Sequence, residues 1–118
     1  MGLVAEFILK GEAVPKKNRY HITKQGRFYP DKKYTDWVED CGYQIIQQKV
    51  PKIAAEKIRM NAIFYITRDK DIDNILGGLS DLLEKNGVVD NDKHIASVEA
   101  LKIKVKSDPR IVIQLTIL

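Results

Sequence analysis

A change of apolar period in the middle of the chain limits its possible folds more than any other feature. Across residues 57–66 the apolar positions Ile58, Met60, Ala62, Phe64 and Ile66 alternate, the period of a strand with one buried face. Across residues 72–86 the apolar positions Ile72, Ile75, Leu76, Leu79, Leu82 and Leu83 fall in one narrow arc at about 100° per residue, so this segment is a helix with one buried stripe. Gly87 stands where a helix C-cap belongs. The two periods are separated by a short polar stretch holding Asp69, Asp71 and Asp73, so a buried strand passes almost directly into an amphipathic helix.

The remaining elements arrange themselves around this unit. Residues 4–10 predict a short strand that ends at Gly11, and residues 11–33, with Gly11, Pro15, Gly26 and Pro30, predict a loop with a small hairpin. Tyr34, Trp37, Val38, Cys41, Ile45 and Ile46 predict a helix over 34–49, stopped by Pro51. Residues 98–106 set Leu101, Ile103 and Val105 against Lys102, Lys104 and Lys106, which predicts a strand with its lysines toward solvent at a sheet edge or toward DNA. Ser107-Asp108-Pro109 then turns the chain into a last strand over 110–118, expected to pair with its predecessor as a hairpin. The predicted class is α+β, with two helices on one face of a mixed, largely antiparallel sheet. At 118 residues the expectation is one domain over 1–118, without internal repeat or low-complexity tract.

Composition excludes several classes. With 44% hydrophobic and 31% charged residues the chain is no disordered tail. No apolar run approaches the roughly 20 residues of a membrane span, so no membrane partner is expected. No export signal is found, and the single cysteine, Cys41, excludes an internal disulfide or a cysteine-based zinc site; a cytoplasmic setting is expected. Cys41 itself lies on the apolar stripe of the first helix, as an inert core residue would. The net charge is +4, but residues 14–33 hold Lys16, Lys17, Arg19, Lys24, Arg27, Lys32 and Lys33 against Asp31 alone, leaving a net −2 for the rest. Tyr20, Phe28 and Tyr29 interleave with these cations, a pattern of single-stranded nucleic-acid binders. It is also the pattern of a solvated lysine-rich hairpin that packs its own aromatics.

The chemistry-bearing feature is acidic. Asp69, Asp71 and Asp73 precede or open the second helix, and Asp90 and Asp92 follow its end. Asp71 and Asp73, two apart, project to one side if the backbone there is extended. Helix capping accounts for one such aspartate. A hard divalent cation, which takes a few carboxylates together with waters and phosphate oxygens, accounts for more of them. Asp92 can join the first cluster only if the strand after it lies beside residues 57–66.

The stretches Asp71-Ile72-Asp73-Asn74-Ile75, Asp81-Leu82-Leu83 and Gly87-Val88-Val89-Asp90-Asn91-Asp92 with Ile95 resemble the RusA family of Holliday junction resolvases. Pro15-Lys16-Lys17-Asn18-Arg19-Tyr20 and Gly26-Arg27-Phe28-Tyr29 resemble the family's opening, so the similarity covers about residues 14–96. The resemblance implies a homodimeric, magnesium-dependent endonuclease, with manganese able to substitute, that nicks four-way DNA junctions in symmetric pairs. It assigns Asp71, Asp73 and Asp92 as catalytic, metal-holding carboxylates, with Asp90 a lesser acidic position and Asp69 without a counterpart. It places Lys16, Lys17, Asn18, Arg19 and Arg27 against DNA.

One position departs from the family. Where the family carries a lysine four residues after the second motif aspartate, this chain has Gly77, followed by Gly78. Three explanations stand: Lys70 or Lys93 supplies the charge; the glycines admit a close approach by a second copy; or the chain binds junctions without cutting them. A metal-dependent nuclease of other branched nucleic acids, or a plain protein-interaction module, remain the further alternatives. Of the two histidines, His94 is two residues from Asp92, as an outer partner or an exposed loop residue, and His21 belongs to the basic loop. Trp37 is expected in the core.

Overall fold

A computed structural model describes residues 2–18 and 20–118. The chain runs β1 (Leu3–Lys10), a 3₁₀ turn (Lys16–Asn18), β2 (Tyr20–Ile22), β3 (Phe28–Pro30), α1 (Lys32–Gln47), β4 (Ile58–Ile66), α2 (Ile72–Lys85), a second 3₁₀ turn (Asp92–His94), β5 (Ile95–Lys104) and β6 (Arg110–Ile117). The fold is α+β. Its main sheet has the order β1-β6-β4-β5, and β2 and β3 form a separate two-stranded hairpin. The pairs β1/β6 and β4/β6 are antiparallel and β4/β5 is parallel, so the sheet is mixed.

The alternation over 58–66 is realised in full: Ile58, Met60, Ala62, Phe64 and Ile66 are buried. In register beside them lie Ile111, Ile113 and Leu115 of β6, and beyond those Leu9, Phe7 and Ala5 of β1. Over this face pack Tyr34, Trp37, Cys41 and Ile45 of α1 and Ile75, Leu79, Leu82 and Leu83 of α2, forming one core. Asp31 caps α1, its carboxylate accepting the Tyr34 N–H at 2.9 Å. Asp81, buried inside α2, accepts the Tyr34 hydroxyl at 2.6 Å and lies 3.4 Å from Lys85 Nζ, so a polar link ties the two helices within the core.

Two expectations about the last strands are corrected. First, β5 and β6 form no hairpin: β5 lies at the sheet edge, parallel to β4, and β6 pairs on the other side of β4. Helix α2 carries the chain back to the start of β4, as a parallel crossover requires, and residues 105–109 then pass across the end of β4, where the Val105 N–H bonds the Ile66 carbonyl at 2.8 Å. Second, the faces of β5 are the reverse of those predicted. Its partners in register show Val98, Ala100 and Lys102 beside buried Met60, Ala62 and Phe64, on the helix-covered face. Leu101 and Ile103 lie on the open face and are 54% and 36% exposed. An edge strand projects past the helices, so Lys102 can sit on the covered side and still reach Asp69 Oδ1 and the Lys70 carbonyl, each at 2.9 Å.

The opposite edge is closed by side chains over its second half, at Ile8 and Lys10. Gln44 of α1 accepts the Lys10 N–H at 2.7 Å and donates to the Lys10 carbonyl at 2.9 Å. Gln48, just past the helix, accepts the Ile8 N–H at 3.3 Å and donates to the Ile8 carbonyl at 2.8 Å. These amides bond the outward backbone of β1 as another strand would.

Between β1 and the first 3₁₀ turn, Ala13, Val14 and Pro15 are buried and cross α2. The crossing is close because residue 78 has no side chain: a Cβ there would stand 2.5 Å from the Val14 carbonyl oxygen.

Candidate active site

One open cavity runs along a face of α2. Asp73 lies in the first turn of α2, where the partial positive charge of the helix N-terminus favours an ionised carboxylate. Asp92 opens the second 3₁₀ turn, just before β5. Because β5 pairs in parallel beside β4, the chain leaving α2 returns to the end of the sheet where β4 begins. Asp92 is held there by its own N–H, which donates to Glu84 Oε1 at 2.8 Å, while Asn91 caps the 3₁₀ turn by accepting the Lys93 N–H at 2.9 Å. Asp73 and Asp92 line one open cavity of about 320 Å³, and Asp73, Leu76, Gly77 and Ser80 supply its helical wall. Those four residues follow the i, i+3, i+4, i+7 spacing of one helix face.

Asp71 is not in that cavity. It is the N-cap residue of α2, exposed, with extended backbone (φ −64°, ψ 129°) and no side-chain capping bond; Asn74 Nδ2 approaches its carboxylate at 3.4 Å. The argument from extended spacing fails between 71 and 73 because the helix starts at Ile72 and turns Asp73 away. Asp71 lines a neighbouring cavity of about 300 Å³ together with Lys17, Lys33, Asp69 and Lys70. Asp90 is exposed and lines neither cavity.

The lysines around this region differ in how they are engaged. Lys70 forms an ion pair with Glu12, whose carboxylate also accepts the Thr67 N–H at 3.0 Å and the Thr67 hydroxyl at 2.8 Å. Burial works against the charged form of Glu12, yet the bonds from Lys70 and Thr67 outweigh it and hold this carboxyl below its usual range. Asp69 is likewise held low, chiefly by the hydrogen bond from Lys102. Lys93 is exposed on the 3₁₀ turn and does not line the Asp73–Asp92 cavity. Lys16 does line it.

Of the other basic-segment residues, Lys17 is exposed and Arg27 lies in the exposed turn of the β2–β3 hairpin. Arg19 and the side chain of Asn18 lie outside the described residues. On the hairpin, Tyr20, Phe28 and Tyr29 are all exposed, Phe28 by 71%, so these aromatics face outward and do not form a small core of their own. His21 stacks on Tyr29 with ring centroids 5.2 Å apart and lies 2.5 Å from Asp31 Oδ1, which ties the hairpin to the cap of α1. His94 has a buried Nδ1 without a hydrogen-bond partner among the described residues.

The donor set suits a hard divalent cation, because such ions commonly take one or two carboxylates and complete their shell with water and phosphate oxygens. Asp73 and Asp92 supply two carboxylates. Among the described residues no three acidic, histidine or cysteine side chains converge as a ready-made metal cage. Ser80 as a cavity residue, Glu84 as the acceptor of the Asp92 N–H, and the place of Lys16 in the cavity, beyond its expected contact with DNA, escaped the sequence reading. Ser80 was accessible to it by helical spacing from Asp73, whereas Glu84 and Lys16 depend on contacts between separate elements.

The family model described as "Endodeoxyribonuclease RusA" matches residues 10–116. The chain belongs to the RusA family. Its members are hydrolases of DNA phosphodiesters, and the matched region takes in both helices, β4, β5 and nearly all of β6, while β1 precedes it except for Lys10. The crossover junction endodeoxyribonuclease RusA of Aquifex aeolicus (strain VF5) is 32% identical over 112 residues, covering 93% of this chain and 89% of that protein. The Asp73–Asp92 cavity therefore lies within the RusA-matched region of an enzyme chain. Among the described residues, no helix is long and apolar enough to cross a membrane.

Proposed function

We propose that this RusA-family protein is a single-domain, homodimeric, magnesium-dependent endonuclease that resolves four-way DNA junctions in the cytoplasm by paired symmetric nicks. The observation that carries this reading is the joint opening of Asp73 and Asp92 onto one cavity that runs along α2 from Asp73 past Gly77 and Ser80 to Asp92. Asp73 and Asp92 would hold the cation, with Asp71 at the helix cap beside them. When bound, magnesium or manganese supplies a water of lowered pKa and neutralises the leaving oxygen in phosphodiester hydrolysis.

This chain's own residues set the geometry for that chemistry. The first turn of α2 sets Asp73 on the cavity wall, and Glu84 fixes the backbone of Asp92 so that its carboxylate stays at the cavity rim. Lys17 and Arg27, with Asn18 and Arg19, form the basic approach that meets the DNA backbone, where phosphate contacts carry most of the affinity and its salt dependence. The exposed aromatics of the hairpin offer stacking surfaces for bases opened at a branch point.

A second copy supplies the second nick. The face of the sheet away from the helices carries Ile8, Ile63, Leu101, Ile103 and Val112 without a covering layer, and Ile8 and Leu101 are 41% and 54% exposed. Self-association across this face would bury them and set two equivalent sites about a two-fold axis.

The test is a synthetic mobile four-way junction incubated with the purified protein and magnesium, or with a chelator. Symmetric paired nicks with magnesium or manganese, none with chelator, and loss of nicking in Asp73→Asn with junction binding retained are the expected results. Binding without nicking under any divalent cation would overturn the nuclease reading. Equal cutting of flaps or RNA would overturn the junction specificity.

A further inference from the structure

Lys16 lies in the first 3₁₀ turn, on the segment that crosses α2. Its aliphatic stem rests on the helix at the position that has no side chain: a Cβ built on Gly77 would stand 3.3 Å from Lys16 Cδ and 3.5 Å from Lys16 Cβ. A side chain at 77 and the stem of Lys16 would therefore compete for one volume. The same lysine lines the cavity on which Asp73 and Asp92 open.

Among the described residues no carboxylate forms an ion pair with Lys16, whereas Lys70 is paired with Glu12, Lys102 with Asp69 and Lys85 with Asp81. The cation at this cavity that is not engaged by a protein anion is thus Lys16. Two carboxylates alone repel a phosphodiester. With a phosphodiester and a divalent cation added, the charges in the cavity cancel only when the lysine is counted. A lysine ammonium also offers three donors to phosphate oxygens from a flexible stem.

We propose that Lys16 is the phosphate-contacting residue of the active site: it reaches over Gly77 to hold the scissile phosphate and stabilise its charge during cleavage. The smallness of residue 77 is what seats it. This assignment rests on the nuclease reading above, but it makes a separate claim about binding.

Four proteins decide it: wild type, Lys16→Met, which keeps the stem over Gly77 and removes the charge, Lys16→Ala, and Lys16→Ala/Gly77→Lys. Single-turnover nicking of the junction is measured with magnesium, and junction affinity is measured in chelator across a potassium chloride series. Lys16→Met is expected to nick roughly 100-fold more slowly, the size of effect seen when one charge-stabilising donor is lost. Its plot of log affinity against log salt should be shallower by about 0.9, one phosphate contact fewer, with unchanged thermal stability. The double variant should recover nicking to within about tenfold of wild type and regain the salt slope, because the ammonium is returned to the same cavity from α2.

Nicking by Lys16→Met within about threefold of wild type, with an unchanged salt slope, would overturn the proposal. So would a folded double variant as slow as Lys16→Ala. If wild type itself nicks under no divalent cation, the nuclease reading falls and the salt slope alone decides whether Lys16 touches phosphate.

Discussion

Replacing each glycine of the Gly77-Gly78 pair by alanine, one at a time, should change stability in opposite directions. Either replacement adds about 1 kcal/mol of helix propensity in the middle of α2. At 78 the new methyl would stand 2.5 Å from the Val14 carbonyl oxygen, 3.4 Å from the Lys16 nitrogen and 3.5 Å from Trp37 Cζ3. The first of these is a backbone atom in a buried segment, so the helix or the crossing strand must move, and overpacking of this kind costs about 1–3 kcal/mol. The net expectation for Gly78→Ala is a loss of about 1 kcal/mol. At 77 the nearest atom is the Cδ of a flexible lysine at 3.3 Å, which can shift by a few tenths of an ångström. Gly77→Ala should therefore retain most of the propensity gain, close to 1 kcal/mol.

At about 4 °C per kcal/mol for a domain of this size, the two variants should differ in melting temperature by about 8 °C, with wild type between them. Thermal unfolding followed by circular dichroism reads this directly. If both variants melt above wild type by the same amount, the Val14 crossing is not a rigid contact and the packing argument is wrong. If Gly77→Ala falls as far as Gly78→Ala, residue 77 is enclosed by more than the lysine stem.

Two further outcomes follow from titrating groups. Glu12 has a lowered carboxyl pKa in the folded protein, so the stability it contributes is present above its ordinary value of 4.5 and is lost as pH falls through the folded value. Urea unfolding between pH 6 and 3 should show a shallower acid decline in Glu12→Gln than in wild type, and parallel profiles would refute the Lys70–Thr67 clamp. Burial pushes the Cys41 thiol up to about 12, so the folded protein at pH 8 should be inert to a thiol reagent such as dithionitrobenzoate and should react fully once denatured. Rapid native reaction would place Cys41 at the surface.

The parts of the fold that were readable in the sequence are those fixed by local periodicity. The strand Ile58–Ile66 and the helix Ile72–Lys85 were legible almost to the residue, because each buries one face continuously and the two faces have different periods. The partner of β6 was not legible. Ser107-Asp108-Pro109 marks a change of direction, and nothing in those residues records that β4 has already taken the place between the two strands. The faces of β5 were misread for a related reason, since Leu101 and Ile103 look like a core stripe until the sheet is seen to be covered on the other side.

At the site, β5 does lie beside β4, but the parallel pairing sets Asp92 at the end where β4 begins, past the C-terminus of α2, so it shares a cavity along the helix with Asp73 and none with Asp71. The divergence of Asp71 from Asp73 turned on a single residue, the point at which extended backbone becomes helix. The seating of Lys16 on Gly77 joins positions 61 residues apart, and no spacing rule reaches that far.

The glutamine clasp on β1 has a consequence beyond the monomer. With Gln44 and Gln48 occupying the backbone of Ile8 and Lys10, a further strand cannot lie along that half of β1, whereas β5 offers ten residues of margin. Joining two such sheets margin to margin through β5 leaves each with only the short, half-occupied border of β1. Growth by that route is poorly supported beyond the first addition.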